Sequence, residues 1–323
     1  MTTPVGPLGE FELIRLLRAR AVPHPGVALG IGDDAAVLSP GRPGSSLVVT
    51  TDLLLDGRHF LFSECGAEAA GYKSLAVNLS DLAAMAARPV AAFVAVALPR
   101  SSAAEVALGL MDGMAPLADR FGLTLAGGDT NAWEGPLVVC VTAIGEADAP
   151  GPITRSGARP GDAVLVTGPL GGSILGRHLR PEPRVVEALA LLESAELHAL
   201  IDLSDGLASD LGHVLEASGG LGACLDAEAI PIHSDAFRLA DQTGRPPLEH
   251  ALGDGEDFEL CVIVPPGAAS ALLASPPGGV RLTRVGTIDD GPGLRLRSPK
   301  GKIEPVRTRG FDHLASRGDG DAG

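Results

Sequence analysis

Acidic residues in this chain recur in short segments flanked by Gly, Ser or Thr, most of them directly beside apolar runs. The segments are Gly32-Asp33-Asp34, Thr50-Thr51-Asp52, Asn78-Leu79-Ser80-Asp81, Gly127-Gly128-Asp129-Thr130, Asp202-Leu203-Ser204-Asp205 and Gly253-Asp254-Gly255-Glu256-Asp257. A carboxylate at the end of a core strand must be hydrogen-bonded, paired or bound to a cation, because an isolated buried charge is too costly. A fold for this sequence must therefore gather strand ends around something positive. Several divalent metals holding polyphosphate meet that demand best.

The 323 residues suggest about two domains. Apolar residues make up 45% and aromatics only 3%, so the cores are built from Ala, Val and Leu. A net charge of −15 argues against nucleic acid and against anionic membrane surfaces, which need clustered Lys and Arg. It leaves a phosphorylated substrate open, because bound divalent metals invert the local sign. Cys65, Cys140, Cys224 and Cys261 are far apart and form no Cys-x-x-Cys pair, so free thiols in a reducing cytoplasm are expected. The N-terminus shows no basic stretch followed by a long apolar one, and no apolar run reads as a membrane span. A cytoplasmic location is the expectation.

Apolar periodicity predicts a helix over 8–20, a strand over 47–55, and an Ala-rich helix over 66–87 that Pro89 ends. A strand over 90–98 and a helix over 102–121 follow. Strands over 123–126 and 137–144 are expected to flank Gly127-Gly128-Asp129-Thr130 as a loop. This order predicts an α/β fold, with mixed sheets and helices packed on one face of each. A boundary near Ala149-Pro150-Gly151-Pro152 divides the chain into domains 1–150 and 151–323. The second part is expected to hold strands over 162–167, 200–203, 258–264 and 280–288, and helices over 184–196 and 207–217.

The chemistry of the segments follows from their oxygens. The adjacent Asp33 and Asp34 repel by about 4 kcal/mol at 4 Å in an intermediate dielectric, and a cation between them removes that cost. Mg²⁺ takes oxygen ligands and keeps several waters, so scattered single carboxylates suit it. An exposed turn would use Gly-Asp as well. Thr50-Thr51-Asp52 ends a core strand with hydroxyl and carboxylate oxygens together. His59 is placed to contact a phosphate or to act as acid or base, although a solvated loop histidine fits too. Asp81 lies on an Ala/Leu helix and needs a partner if buried. The glycines of 127–128 admit close approach by a nucleotide, or simply make a hairpin turn. Asp202 and Asp205 stand three apart before a helix, where Asp205 also suits an N-cap. Arg155 suits a bidentate phosphate contact. No Gly-x-x-x-x-Gly-Lys-Ser/Thr, His-Glu-x-x-His or Gly-x-Ser-x-Gly occurs.

The order of segments resembles the thiamine-monophosphate kinase family, within the group that includes aminoimidazole ribonucleotide synthetase and selenophosphate synthetase. The likeness runs from Gly30-Ile-Gly-Asp-Asp-Ala-Ala through Lys73–Met85, Gly127-Gly-Asp-Thr, Thr154–Asp162 and Asp202-Leu-Ser-Asp-Gly-Leu to Gly310-Phe-Asp-His. It implies two α/β domains of the aminoimidazole ribonucleotide synthetase-like fold. The first would bind ATP and metal and pair in a homodimer, and the second would complete the active site. It implies phosphorylation of thiamine phosphate to thiamine diphosphate by ATP, with several Mg²⁺ ions and no single nucleophilic side chain. Asp34, Thr50, Thr51, Asp52, Asp81, Asp129, Asp202 and Asp205 would serve the metals, Asp52 and Asp205 being the most critical. Gly128, Asp129, Arg155 and Ser204 would contact ATP. His59, Glu256 and Phe311 would hold thiamine phosphate. Three departures from the family pattern stand out. Asn131–Pro136, with Trp133, replaces a basic run; Arg58 replaces a small or apolar residue; and Asp254 replaces Gly, which adds a charge near the expected substrate pocket.

Overall fold

A computed structural model describes residues 27–29, 35–38 and 45–306. The expected helix at 8–20, Asp34 and Phe311 lie outside the described residues.

The first sheet holds β1 (Val27–Leu29), β2 (Ala36–Leu38), β3 (Ser46–Leu55), β4 (Arg88–Pro99), β5 (Thr124–Trp133) and β6 (Val138–Ala147), in the order β1-β2-β3-β6-β4-β5. β6 lies between β3 and β4 and runs antiparallel to both. β5 runs parallel to β4. Helix α2 (Ala103–Phe121) connects that pair, as a parallel pair requires a crossover. Along β3 and β6 burial alternates with period two. Val48, Thr50, Leu54, Val139 and Val141 face inward, toward α1 (Phe62–Ala84) and the core. On the other face Val49 pairs with Ile144, Thr51 with Thr142 and Leu53 with Cys140. That face is bare among the described residues: Leu53 is 53% exposed and Phe93 43%.

The Gly127–Thr130 segment is not the expected loop. It lies inside β5, opposite Phe93–Val96, and residues 134–137 make the turn to β6 instead. A side chain at Gly128 would overlap the carbonyl of Val94, so glycine lets the two backbones pair.

Helix α1 is buried on every side from Lys73 to Ser80, which marks a helix surrounded by protein. Its N-terminal part crosses α2 at backbone contact. A Cβ at Gly71 would strike the carbonyl of Leu110, and one at Gly113 that of Glu68. Its other sides meet β3, β6 and, in the second half of the chain, α3 (Val185–Ser194) and β8 (Ala199–Asp202).

The second sheet has the order β13-β12-β9-β11-β7-β10-β8. It contains β7 (Ala163–Val166), β8, β9 (Gly222–Asp226), β10 (Leu260–Val264), β11 (Thr283–Asp289), β12 (Leu294–Arg297) and β13 (Ile303–Pro305). Among the described strands of this sheet, only β9 and β12 pair in parallel. The architecture is the expected α/β arrangement of two mixed sheets. The second sheet, however, is covered on both faces. Leu165, Leu200 and Val262 join the core of α1 and α3, while Val166, Ile201 and Ile263 join that of α4 (Leu207–Ala217). Its central strands are unbroken apolar runs, the pattern of strands buried on two sides. Helices α5 (Ser234–Thr243), α6 (Pro247–Gly253) and α7 (Pro266–Ala274) complete this half.

Candidate active site

Strand β3 and helix α1 build the first half of the site. Alternation along β3 sends Thr50 and Asp52 to the helix side, where Asp81 stands. The Thr50 hydroxyl donates to Asp81 Oδ2 in a short bond. Burial pushes the Asp52 carboxyl up to about 6, a rise that its hydrogen bond with Asp81 opposes. Two carboxyl groups this close need a shared proton or a cation. Thr51 points to the bare face, with its hydroxyl 3.0 Å from Thr142 Oγ1 and 3.2 Å from Val141 O. Its side chain therefore does not join Thr50 and Asp52. The Asp129 carboxylate turns back on its own strand, accepting from the Thr130 N–H and from Asn131 Nδ2, each at 3.0 Å.

Strand β8 and helix α4 build the second half. Asp202 ends β8, is buried, and accepts from Ser80 Oγ at 2.6 Å. Ser80 directly precedes Asp81, so this bond ties the end of β8 to the helix that carries Asp81. Asp205 is not a cap: the N-cap of α4 is Gly206, with no side-chain cap bond. The Asp205 N–H instead donates to Asp210 Oδ2 at 3.1 Å. Asp205, Asp210 and His213 each bring a ligand atom within 4.8 Å of the others. Burial and then the charges of Asp205 and Asp202 push the Asp210 carboxyl well above the usual range, and nearby Arg155 pulls it back. Sequence reasoning missed Asp210 and His213. Their signal was the pair Asp210 and His213, three apart on one helix that begins just after Asp205.

The loop bearing Glu256 is laced to the Asp202–Asp205 turn. The Glu256 N–H donates to Ser204 O at 2.7 Å and the Phe258 N–H to Leu203 O at 2.9 Å. Gly255 has φ +73°, and a Cβ there would lie 2.6 Å from Ser204 O. Glu256 itself has φ +52°, uncommon outside glycine. Glu256 lines a cavity of about 510 Å³ between the two halves, with Arg58, His59, Cys65, Ile174 and His178 among the other walls. His59 Nδ1 accepts the Leu55 N–H at 2.9 Å, which leaves the ring proton on Nε2. A second, apolar groove of about 360 Å³ runs between α2 and β5, over Gly127 and Gly128, with Val94, Leu110, Met114 and Leu125.

Asp254 does not charge the cavity. Its carboxylate lies 2.8 Å from His250 Nδ1 and accepts the Gly172 N–H at 3.1 Å, so it fastens the end of α6. Trp133 stays on the surface at the end of β5, donating from Nε1 to Pro136 O at 3.0 Å.

The sequence model of the AIR synthase related protein N-terminal domain matches residues 32–147. The thiamine-monophosphate kinase of Rhodopirellula baltica is 44% identical over 310 residues, spanning 94% of this chain and 97% of that protein. This chain belongs to the thiamine-monophosphate kinase family. The solved complex of AaThiL with AMPPCP and TMP has a TM-score of 0.82 at 27% identity, covering 97% of this chain and 99% of that one. The thiamine-monophosphate kinase from Stenotrophomonas maltophilia K279a has a TM-score of 0.69 at 38% identity, covering 90% and 96%.

Of the residues that the likeness to thiamine-monophosphate kinases marks, the structure brings together Thr50, Asp52 and Asp81. Ser80 ties Asp202 to the helix that carries Asp81, Ser204 and Asp205 follow Asp202 in the same turn, and Arg155 acts on the Asp210 that holds that turn. Gly128 lines the apolar groove, and His59 and Glu256 line the larger cavity. The Thr51 hydroxyl and the Asp129 carboxylate keep other partners.

Proposed function

We propose that this chain transfers the γ-phosphoryl group of ATP to thiamine phosphate, giving thiamine diphosphate. The observation that carries the reading is the Ser80–Asp202 bond, which gathers carboxylates from both halves beside a cavity between those halves. The donor set fits Mg²⁺: hydroxyl and carboxylate oxygens are hard ligands, and Thr50, Asp52 and Asp81 bring three such groups together. Thr50, Asp52, Asp81, Asp202 and Asp205 would hold the ions. Bound Mg²⁺ supplies charge neutralisation between two polyanions.

The chain's own residues position the reactants. The terminal phosphorus of ATP forms a bond to a phosphate oxygen of thiamine phosphate as its bond to the ADP oxygen breaks. The acceptor is already an ionised phosphate, so no side chain has to remove a proton, and positioning carries the catalysis. Arg155 and Ser204 lie where ATP phosphates would meet the acidic turn. The groove over Gly127 and Gly128 suits a flat purine ring. His59 Nε2–H and Glu256 offer a donor and an acceptor to thiamine phosphate in the cavity. The working form is a cytoplasmic homodimer. Support comes from the bare apolar face of the first sheet, the four free cysteines, and the absence, among the described residues, of any helix long and apolar enough to cross a membrane.

The test is direct detection of thiamine diphosphate from purified protein, ATP, Mg²⁺ and thiamine phosphate. Product that disappears with EDTA and with Asp205→Asn supports the reading. Formation of aminoimidazole ribonucleotide from its formylglycinamidine precursor would move the chain to the sister activity. Binding of both ligands without turnover would make it a silent binder.

A further inference from the structure

Lys73 is only 1% exposed, yet its ammonium group sits on the seam between the two halves. Nζ donates to His59 O at 2.6 Å and to Glu256 Oε1 at 2.8 Å. One acceptor belongs to the loop after β3 and the other to the loop before β10, which lies 183 residues from Lys73. Both acceptor residues line the interdomain cavity, whereas Lys73 stands behind its wall. Burial lowers the affinity of Lys73 for its proton, and the charge of Glu256 raises it again, so the pair is mutually dependent.

The contact does more than neutralise a charge. Glu256 is held at φ +52°, a backbone state that a non-glycine residue keeps only when its surroundings enforce it. Lys73 fixes Oε1 from behind, while the Glu256 side chain remains 30% exposed. Among the described residues no protein donor reaches Oε2, which is left for a ligand. The same ammonium fixes the His59 backbone, whose ring is already oriented by the Leu55 N–H. One buried cation therefore sets the relative position of the two polar groups that face the cavity.

We propose that Lys73 is the positioning residue of the thiamine phosphate subsite: it holds Glu256 and the His59 loop in register across the seam and thereby sets affinity for the acceptor substrate but not for ATP. This rests on the function proposed above. The groove assigned to ATP lies between α2 and β5 and shares no residue with the cavity.

The experiment is steady-state kinetics of Lys73→Met, Glu256→Gln and the double variant, varying each substrate in turn with saturating Mg²⁺. Lys73→Met is expected to raise KM for thiamine phosphate about tenfold or more, as loss of a supporting partner does. KM for ATP should stay within about twofold, which also shows that the variant is folded. The double variant should lose little more than either single one, because both break the same contact. If Lys73→Met does not fold, Glu256→Asp, which withdraws the carboxylate from Lys73, reads the same split. An unchanged KM for thiamine phosphate, a parallel rise in both KM values, or independent multiplication of the two losses would overturn the inference. Absence of thiamine diphosphate from the unmodified protein would instead overturn the function on which it rests.

Discussion

In the function proposed above, Asp52 is a metal ligand whose proton competes with the cation. Its pKa in the folded chain is raised from 3.8 to about 6, chiefly by burial. The folded state therefore takes up a proton that the unfolded state does not hold between those values. Without metal, this group makes folding less favourable as pH rises from about 4 to 6. Mg²⁺ opposes that loss only where the proton has left. The rise in Tm on adding Mg²⁺ should be large at pH 7.5 and shrink as pH falls through about 6. In Asp52→Asn the pH dependence of that rise should flatten, which differential scanning fluorimetry would read.

Asp210 acts at one remove. It accepts the Asp205 N–H and so fixes the turn carrying Asp202 and Asp205. Asp210→Ala is expected to weaken the apparent Mg²⁺ affinity by about 10- to 100-fold, the usual loss when a ligand's supporting partner is removed. The check is a Mg²⁺ titration of the rate at saturating substrates.

Among the elements, the crossing of α1 and α2 depends on missing side chains. Gly113→Ala inserts a methyl group into the carbonyl of Glu68 and should destabilise the chain by about 1–3 kcal/mol, as overpacking does. Gly267→Ala, with open space around the added methyl and inside α7, is the control and should leave Tm unchanged or slightly raised. Much at this scale was legible in the sequence. The β-branched and apolar run leading into Thr51-Asp52 marked β3, and a long Ala-rich run ended by Pro89 marked α1. The misread Gly127–Thr130 segment shows where local patterns end. Glycines beside an Asp are turn chemistry locally, and only the free edge of β4 turns them into a strand. Residue types likewise gave the carboxylates Asp52, Asp81, Asp202 and Asp205, but not the contacts among them. Ser80 meets Asp202, and Lys73 meets Glu256, across more than a hundred residues of chain. No spacing rule reaches that far.

At the scale of the whole molecule, the seam is itself part of the chemistry. Ser80→Ala removes a hydrogen bond to a buried carboxylate, a loss of about 1.5–3 kcal/mol. It should lower both Tm and kcat, because Asp202 loses its tie to the Asp81 side. The bare face of the first sheet makes a separate prediction. Leu53→Asp should shift the species seen by sedimentation velocity from dimer to monomer, and an unchanged species would remove that face as the contact. Helix α1 carries a further consequence. It is encoded in the first half, yet it forms the floor on which β8 and α3 of the second half rest. The two halves are thus not interchangeable parts. A chimera joining residues 1–150 of this chain to the second half of a distant relative would meet a foreign floor. Recombination between relatives would succeed only where α1 travels with the sheet it supports.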